Sequence, residues 1–294
     1  MVPIGVPDRL RFGIATDQNL PWSELLERWQ LFDALGFDSV WNCDHLVQPS
    51  RPNGPYFEAW TLLAALAVRT ERIRIGVLVS CNTFRHPALL AKEALTVDHL
   101  SNGRLDVGLG AGWYEPEHTL FGLEYPSTPE RVGRFREAVE VVDGLLRNDT
   151  TTYAGRYYQL HDAPMRPRPV QQPRPPFMLG AHRPKMLRVV AEHAQAWNSF
   201  GTVDQMRERN AILDQHCAAI GRDPRSIVRS LYLWPAMLPE NPWASVAAFD
   251  DMVGRYTEAG VDEFLVDVTP ETELASVERV AAEALPRLRQ VARR

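Results

Sequence analysis

The feature that most constrains the fold is an eightfold alternation of short apolar strand patterns with helical patterns along the chain. The strands are predicted over residues 11–16, 37–41, 73–79, 105–109, 177–179, 196–199, 227–234 and 263–268. The helices are predicted over residues 22–35, 57–68, 87–100, 130–146, 185–194, 203–220, 243–259 and 271–288, where apolar residues recur at helical spacing. Such alternation is typical of parallel βαβ units, and eight of them close into an α/β fold of the (β/α)8 TIM-barrel type. We therefore predict a single barrel domain over residues 1–294, with its site at the carboxyl ends of the strands.

Three long segments interrupt this alternation and are predicted to be loop insertions at the C-terminal rim of the barrel. They cover residues 42–56, 114–126 and 151–176. The third begins with a hairpin pattern over 151–160 and ends in a proline-rich stretch over 166–176, which predicts an extended surface loop. Loops of this kind vary freely between barrels and set the substrate, so the sequence does not identify the substrate.

An open doubly wound sheet is the alternative fold, and a glycine-rich stretch decides against it. The residues Gly108-Leu-Gly-Ala-Gly-Trp113 begin within the fourth predicted strand and run past its end. A dinucleotide-binding fingerprint needs a third glycine where Trp113 stands, so this stretch breaks that pattern.

Composition excludes several classes of function. The formal net charge of −5 gives no basic surface for nucleic acid, and no apolar run reaches the roughly 20 residues of a membrane span. The first residues lack the pattern of a signal peptide. Cys43, Cys81 and Cys217 are widely spaced with no CxxC pair, which favours neither disulfides nor a zinc site and indicates a reduced, cytoplasmic protein.

Chemically useful side chains follow the predicted strands. Asp44 and His45 come directly after the second strand. Histidine titrates near neutrality and suits general acid/base work, and we expect Asp44 to set the protonation state of His45. The alternative is that Asp44 caps a turn and His45 is a surface residue. His118 is a weaker candidate that could reach the barrel mouth.

Two other strand ends carry features of an anion site. Gly110 and Gly112 could bring backbone amides close to a ligand, although a tight turn without a ligand explains them equally well. The stretch Gly180–Lys185 combines exposed amides, a helix start and basic side chains, which suits a phosphate; ordinary solvated charge is the alternative.

These stretches resemble the luciferase-like flavin/deazaflavin oxidoreductases, and within them the coenzyme F420-dependent branch. The resemblance runs in order through residues 35–41 with Asp44-His45, 74–92, Asp98, 101–104, 108–113, 179–185 and 196–198.

The resemblance implies where a cofactor would lie. Asp44 and His45 match residues near the ring and the reacting centre, and the stretch Leu78-Val79-Ser80 matches a non-prolyl cis peptide behind the ring. The implied cofactor contacts are Val79, Ser80, Thr83, Gly110, Ala111, Gly112, Trp113, Gly180, Ala181, His182 and Arg183. Many relatives have Gly-Gly-Ser-Gly where this chain has Gly180-Ala-His-Arg183, so His182 or Arg183 is expected to contact the phosphate instead.

The first functional hypothesis is an F420-dependent oxidoreductase that transfers a hydride between the deazaflavin and a small organic substrate, with His45 as general acid/base. The alternative is an FMN-dependent monooxygenase that uses reduced flavin and O2. A phosphosugar barrel enzyme is a third reading, but it needs a Schiff-base lysine or a metal; Lys92 lies on a predicted helix, Lys185 lies in a loop, and no metal-ligand spacing is present. A homodimer is expected from the resemblance alone.

Overall fold

The computed structural model describes residues 9–234, 237–238 and 241–290. Its strands are β1 (Arg11–Ala15), β2 (Ser39–Asn42), β3 (Arg74–Val77), β4 (Ser80–Cys81), β5 (Leu105–Gly110), β6 (Thr150–Ala154), β7 (Gln159–Pro164), β8 (Phe177–Gly180), β9 (Ala196–Ser199), β10 (Val228–Leu233) and β11 (Glu263–Asp267). The parallel order β3-β2-β1-β11-β10-β9-β8-β5 closes on itself because β3 also pairs with β5. The predicted TIM barrel is confirmed.

The helices surround this barrel. They are α1 (Trp22–Ala34), α2 (Ala59–Ala67), α3 (Pro87–Leu100), α4 (Glu115–Phe121), α5 (Thr128–Arg147), α6 (Pro184–His193), α7 (Val203–Ala219), α8 (Val246–Glu258), α9 (Leu274–Glu283) and α10 (Leu285–Leu288). Each predicted helix is present, with two differences. A further short helix, α4, lies in the second insertion, and the last predicted helix is divided because Pro286 has no N–H to continue it. No helix within the described ranges is long and apolar enough to cross a membrane.

The third predicted strand is shorter than expected because the backbone bulges at its carboxyl end. β3 ends at Val77, the Leu78–Val79 peptide is cis, and the two-residue β4 then pairs Cys81 with Gly110. The predicted non-prolyl cis peptide is confirmed. The bulge places Val79 at the carboxyl-terminal rim of the barrel.

Inward-facing side chains fill the barrel in layers. The amino-terminal end contains the ion pair Arg11–Glu263, with 3.1 Å between Nε and Oε1. Above it, Trp41, Met178 and Leu265 form a buried cluster at the barrel axis. The main apolar core lies on the other side of the strands, between the sheet and the helices. The carboxyl-terminal ends of the strands therefore form the open end of a filled barrel.

The third insertion forms the predicted hairpin and extended loop, but the prediction that it lies at the C-terminal rim is wrong for the loop. The loop leads into the first residue of β8, at the amino-terminal end of the barrel, where Gln171 Nε2 donates to the carbonyl of Leu105, the first residue of β5, at 2.7 Å. β6 and β7 pair antiparallel, and the following loop contains cis peptides before Pro167 and Pro173. The buried Asp98 side chain fixes this loop by accepting hydrogen bonds from the Val170 N–H at 2.7 Å and the Gln171 Nε2 at 2.8 Å.

Candidate active site

Two groups of side chains face each other across the carboxyl-terminal rim. One group lies at the ends of β3, β5 and β8, and we call it the glycine half; it comprises Val79, Gly110, Gly112, Gly180, His182 and Arg183. The other follows β10, β11, β1 and β2, and we call it the acidic half; it comprises Tyr232, Asp267, Asp17 and Cys43. His45 follows β2, at the junction of the two halves.

Val79 explains why two glycines stand in the glycine half. A Cβ on Gly110 would lie 2.4 Å from Val79 Cγ2, and a Cβ on Gly180 would lie 3.0 Å from the same atom. Both distances are below the normal contact between carbon atoms. Sequence analysis attributed Gly110 to ligand approach, and that contact stays a prediction; the structure adds a second reason for the glycine, because the Val79 side chain occupies the space that a Cβ would need.

Gly112 is required for two further reasons. Its φ of +81° lies in the left-handed region, and a Cβ there would lie 2.7 Å from Thr83 Oγ1 and 3.0 Å from Cys81 Sγ. A side chain at position 112 would therefore meet the protein itself. The backbone of the neighbouring Ala111 remains half-buried against the core.

The Thr83 hydroxyl belongs to a buried hydrogen-bond chain. Its Oγ1 lies 2.6 Å from His118 Nε2 and 3.0 Å from Cys81 Sγ. His118 is fully buried and donates from Nδ1 to the Tyr114 carbonyl at 2.9 Å, so its Nε2 accepts the Thr83 proton. The prediction that His118 could reach the mouth is wrong. Burial raises the pKa of the Cys81 thiol to about 12, so this thiol is unreactive.

His45 is held by a residue that sequence reasoning missed. Its Nδ1 lies 2.9 Å from Oε1 of Glu117, which is 1% exposed, and Oε2 of Glu117 accepts from the Leu46 N–H at 2.9 Å. Because a carboxylate accepts, Nδ1 of His45 carries the proton and Nε2 is left for other partners. The edge of the His45 ring faces Trp113, with 5.7 Å between ring centroids.

Asp44 has a different role from the one expected. Its carboxylate accepts from the Cys81 N–H at 2.7 Å and from Arg85 at 2.5 and 3.1 Å. Both partners of this ion pair are buried. The expectation that Asp44 sets the protonation of His45 is corrected: Asp44 positions β4 and Arg85, and the carboxylate bonded to His45 is that of Glu117.

A second carboxyl near Arg85 has an altered pKa. Arg85 Nε lies 3.4 Å from Glu93, but the guanidinium already binds Asp44 and Glu58. Burial, opposed by Arg85 and assisted by the charges of Glu58 and Asp44, raises the pKa of Glu93 to about 7. Arg85 is therefore the centre of a three-carboxyl network beneath the mouth.

Two other predicted cofactor contacts, Ser80 and Ala181, already hydrogen-bond within the protein. The buried Ser80 hydroxyl accepts from Trp60 Nε1 at 3.1 Å, so its side chain faces α2. Ala181 donates its N–H to the Asn198 carbonyl at 3.1 Å, and its carbonyl accepts from Trp197 Nε1 at 2.9 Å. Neither group of Ala181 is free for a phosphate. Trp113, in contrast, is 68% exposed at the rim.

A cationic region lies where the glycine half meets the start of α6. Ser199 Oγ accepts from Arg209 Nη1 at 3.0 Å and lies 2.7 Å from His182 Nδ1. Burial, together with Arg209 and Arg183, lowers the pKa of His182 to about 4, so its ring is neutral at neutral pH. Arg183 is exposed, and its charge lowers the pKa of the Arg209 guanidinium after the larger effect of burial. Two guanidiniums close together attract an anion, and Arg209 is a residue that sequence reasoning missed.

Sequence reasoning also missed the residues of the acidic half. Asp267 ends β11 with 8% of its surface exposed, and burial, Asp17 and Glu271 raise its pKa to about 8. Burial likewise raises the pKa of Asp17, whose Oδ2 accepts from Gln48 Nε2 at 3.2 Å. The signal in the sequence was the alternation Glu263, Leu265, Asp267, which points every second residue of the strand inward.

An aromatic row connects the two halves. The rings of His182 and Phe200 are 4.2 Å apart between centroids, those of Phe200 and Trp234 are 5.2 Å apart, and those of Trp234 and Tyr232 are 5.3 Å apart. Such rings offer flat apolar surface to an organic ligand. The part of the chain that the structure describes contains no group of three or more His, Cys, Asp or Glu residues that could hold a metal ion.

Together, the closed barrel, the cis bulge and the charged rim define a TIM-barrel protein with a candidate site at the carboxyl ends of the strands. A model of the luciferase-like monooxygenase family matches residues 3–285. The chain belongs to that family.

Relatives of known name cover part of the chain. The chain is 37% identical over 190 residues to an F420-dependent glucose-6-phosphate dehydrogenase of Microbacterium testaceum, covering 64% of this chain and 56% of the relative. It is 38% identical over 159 residues to the enzyme of the same name from Amycolatopsis mediterranei, covering 53% of this chain and 46% of the relative. The matches thus span about half the length of these curated relatives.

Solved structures share the fold. An F420-dependent secondary alcohol dehydrogenase in complex with an F420-acetone adduct superposes with a TM-score of 0.84 at 20% identity, covering 96% of this chain and 99% of the other. A monooxygenase from Streptomyces bottropensis superposes with a TM-score of 0.78 at 23% identity, covering 95% and 99%.

Proposed function

We propose that this protein is a coenzyme F420-dependent oxidoreductase that transfers a hydride between the deazaflavin and a small organic substrate. The observation that carries the proposal is the Val79 bulge, which lies between the side-chain-free positions Gly110 and Gly180 at the rim that also carries His45 and an arginine pair. The names of the F420-dependent relatives support the choice of cofactor within the family.

The residues of the glycine half suit such a cofactor. A flat ring needs a firm apolar surface behind it, which Val79 offers, and Trp113 adds exposed aromatic surface at the rim. Arg183 and Arg209 suit the cofactor phosphate, and the neutral His182 ring lies beside them. When bound, F420 would supply the carbon that accepts or donates the hydride.

The protein's own chemistry lies at His45. With its Nδ1 proton directed to Glu117, the ring presents Nε2 as the atom that exchanges a proton with the substrate. Glu117 stabilises the imidazolium when the ring takes that proton, because the two charges are adjacent and the carboxylate is buried. Asp44 contributes by holding Arg85 and β4 in place.

Turnover assays in two formats test the proposal. The purified protein is incubated anaerobically with oxidised F420 and a panel of alcohols, and separately with reduced FMN, O2 and the same panel. We expect F420 reduction in the first format and no product in the second. Oxygenated product that depends on reduced FMN, without F420 reduction, would instead favour a monooxygenase, which the Streptomyces bottropensis likeness makes the second candidate.

A His45→Ala variant and a matched control connect the activity to the site. We expect His45→Ala to lower turnover at least a hundredfold while F420 affinity stays within about threefold, since general acid/base groups contribute roughly 100- to 10,000-fold. His99→Ala is the control. His99 is an exposed residue in the last turn of α3, away from the rim, and its ring is hydrogen-bonded to the Arg168 carbonyl.

We further propose a cytoplasmic homodimer. The three cysteines are free thiols, which supports a reducing compartment. Leu89, in the first turn of α3, is 54% exposed, which supports an apolar contact between two copies. Light scattering of the wild type and of Leu89→Glu tests the dimer; a monomeric wild type would contradict it.

A further inference from the structure

We propose that the acidic half of the rim binds the uncharged oxygen-bearing group of the substrate, an alcohol hydroxyl or a ketone carbonyl on an apolar body, and that it disfavours phosphorylated substrates. The inference rests on the proposed function, because it names the substrate class of that same site.

Strand alternation places the acidic half at the top of the barrel interior. Leu265 faces the axis, where it packs with Trp41 and Met178. Asp267 is two residues further along β11 and therefore points to the same side, one layer closer to the rim. Cys43 follows Trp41 by two residues in the same way, and Tyr232 packs against the axial cluster itself. These side chains thus converge on one space.

The polar groups in this space have few partners inside the protein. Asp267 is 8% exposed, and within the described residues no side chain hydrogen-bonds its carboxyl; the adjacent Val268 N–H donates to the Ala15 carbonyl at 2.9 Å. The Tyr56 hydroxyl oxygen is buried without a hydrogen bond of ordinary geometry, and its neighbour is the Cys43 thiol. Buried polar groups are nearly always hydrogen-bonded, so this space suits a ligand that supplies the missing partner.

The charges around Asp267 and Asp17 are unsuitable for an anion. Asp17 and Glu271 act on Asp267 as like charges. The cations that act on Asp17 are His45, which is paired with Glu117, and Arg51, which is exposed and paired with Glu271 at 2.8 Å. A phosphate placed here would meet carboxyl groups and no unpaired cation among the described residues. At the opposite end, the arginine pair suits a phosphate, which we assign to the cofactor.

An uncharged oxygen suits the same groups. The Asp267 pKa of about 8 keeps this carboxyl protonated at neutral pH, so it donates an O–H to a substrate oxygen. The phenols of Tyr56 and Tyr232 also stay protonated, because burial raises the pKa of each well above the normal value. The aromatic row of Phe200, Trp234 and Tyr232 lies next to these donors and offers an apolar surface to the rest of the substrate.

A substrate panel tests the inference. The protein with bound F420 is assayed with 2-propanol, 2-octanol, cyclohexanol, 2-aminopropane, glucose and glucose 6-phosphate. We expect at least one alcohol to exceed glucose 6-phosphate in kcat/KM by more than tenfold. A preference for glucose 6-phosphate or for the amine, or turnover of none of these by protein that binds F420, would overturn the inference alone. Absence of F420 binding in a fluorescence titration would overturn the proposed function as well.

Variants at Asp267 identify the group responsible. Asp267→Asn keeps a neutral donor and should hold KM for the preferred alcohol within about threefold at pH 7, whereas Asp267→Ala should raise it about tenfold. The wild-type KM should rise above pH 8 as Asp267 ionises, and Asp267→Asn should remove that rise. Glu273→Gln is the matched control, an exposed carboxyl beyond the same strand that makes no side-chain cap hydrogen bond, and should change KM less than twofold. Equal KM values for the Ala variant and the wild type would refute the role of Asp267.

A measurement without substrate or cofactor checks the site itself. In carbon-13 carboxyl NMR of aspartate-labelled protein, the resonance missing from Asp267→Asn should titrate near pH 8 in the wild type. Titration in the ordinary range below pH 5 would show that the carboxyl is ionised at neutral pH and would overturn the inference, whatever the activity.

Discussion

Replacing Gly110 by alanine tests whether that glycine makes room for Val79 or for a ligand. The new Cβ would lie 2.4 Å from Val79 Cγ2, about 1 Å closer than carbon atoms normally approach. Overpacking of this kind costs about 1–3 kcal/mol of unfolding free energy. Removing the two Val79 methyl groups alone should cost about 1 kcal/mol, since the side chain is half-buried.

The double variant separates the two explanations. If the clash with Val79 is the cause, Val79→Ala with Gly110→Ala should be about 1–2 kcal/mol more stable than the sum of the single effects, as measured in urea denaturation. Gly254→Ala is the control. Gly254 is exposed in α8, where a Cβ would meet nothing within 4 Å, so the substitution should raise the unfolding free energy by about 0.5–1 kcal/mol. Strict additivity of the two site variants would refute the reasoning.

Three further predictions concern the charged groups of the rim. Glu117→Ala should lower unfolding free energy by about 1–3 kcal/mol, because the Leu46 N–H loses its acceptor, and should lower turnover more than F420 affinity; unchanged kinetics would contradict its role beside His45. The Asp267 pKa is raised in the folded state from 3.8 to about 8, so wild-type stability should fall between about pH 4 and pH 8, by on the order of 5 kcal/mol at most, and stay level above. Asp267→Asn should remove that slope in urea titrations at pH 5 and pH 8; a slope that persists would contradict the raised pKa. Arg209→Gln should weaken F420 binding about five- to tenfold without affecting a phosphate-free deazaflavin riboside, and an equal loss for both ligands would argue against a phosphate contact.

The barrel was predictable because it depends on local patterns. Each of the eight strands and helices has its own apolar periodicity, and the count of units then decides the closed fold. The departures have local physical causes that periodicity does not reveal: the cis Leu78–Val79 peptide shortens β3, and Pro286 divides the last helix. The cis peptide was predicted from the resemblance and not from periodicity.

The sequence predicts which residues lie at the rim, but it does not predict which partners their side chains contact. His45 and the glycines lie at the rim because strand ends must meet there. The partner of His45 was missed because Glu117 is 72 residues away, in an insertion whose path no pattern defines. Asp44 is adjacent to His45 in sequence, yet its carboxylate bonds Arg85, since adjacent residues in an extended segment point in opposite directions.

The glycines of the site also show that a sequence does not reveal which atoms surround a residue. A glycine in the sequence indicates that a side chain is excluded, but the excluding atoms are visible only in three dimensions. At Gly110 they belong to Val79, and at Gly112 they belong to Thr83 and Cys81.

The central claim is the identity of the cofactor, and an equilibrium titration of the purified protein tests it most directly. F420 and FMN are titrated separately in the oxidised state, with Arg183→Gln/Arg209→Gln as a variant of the phosphate region. We predict saturable one-to-one F420 binding that the double variant weakens, and FMN binding at least a hundredfold weaker. Micromolar FMN affinity without F420 binding would contradict the account.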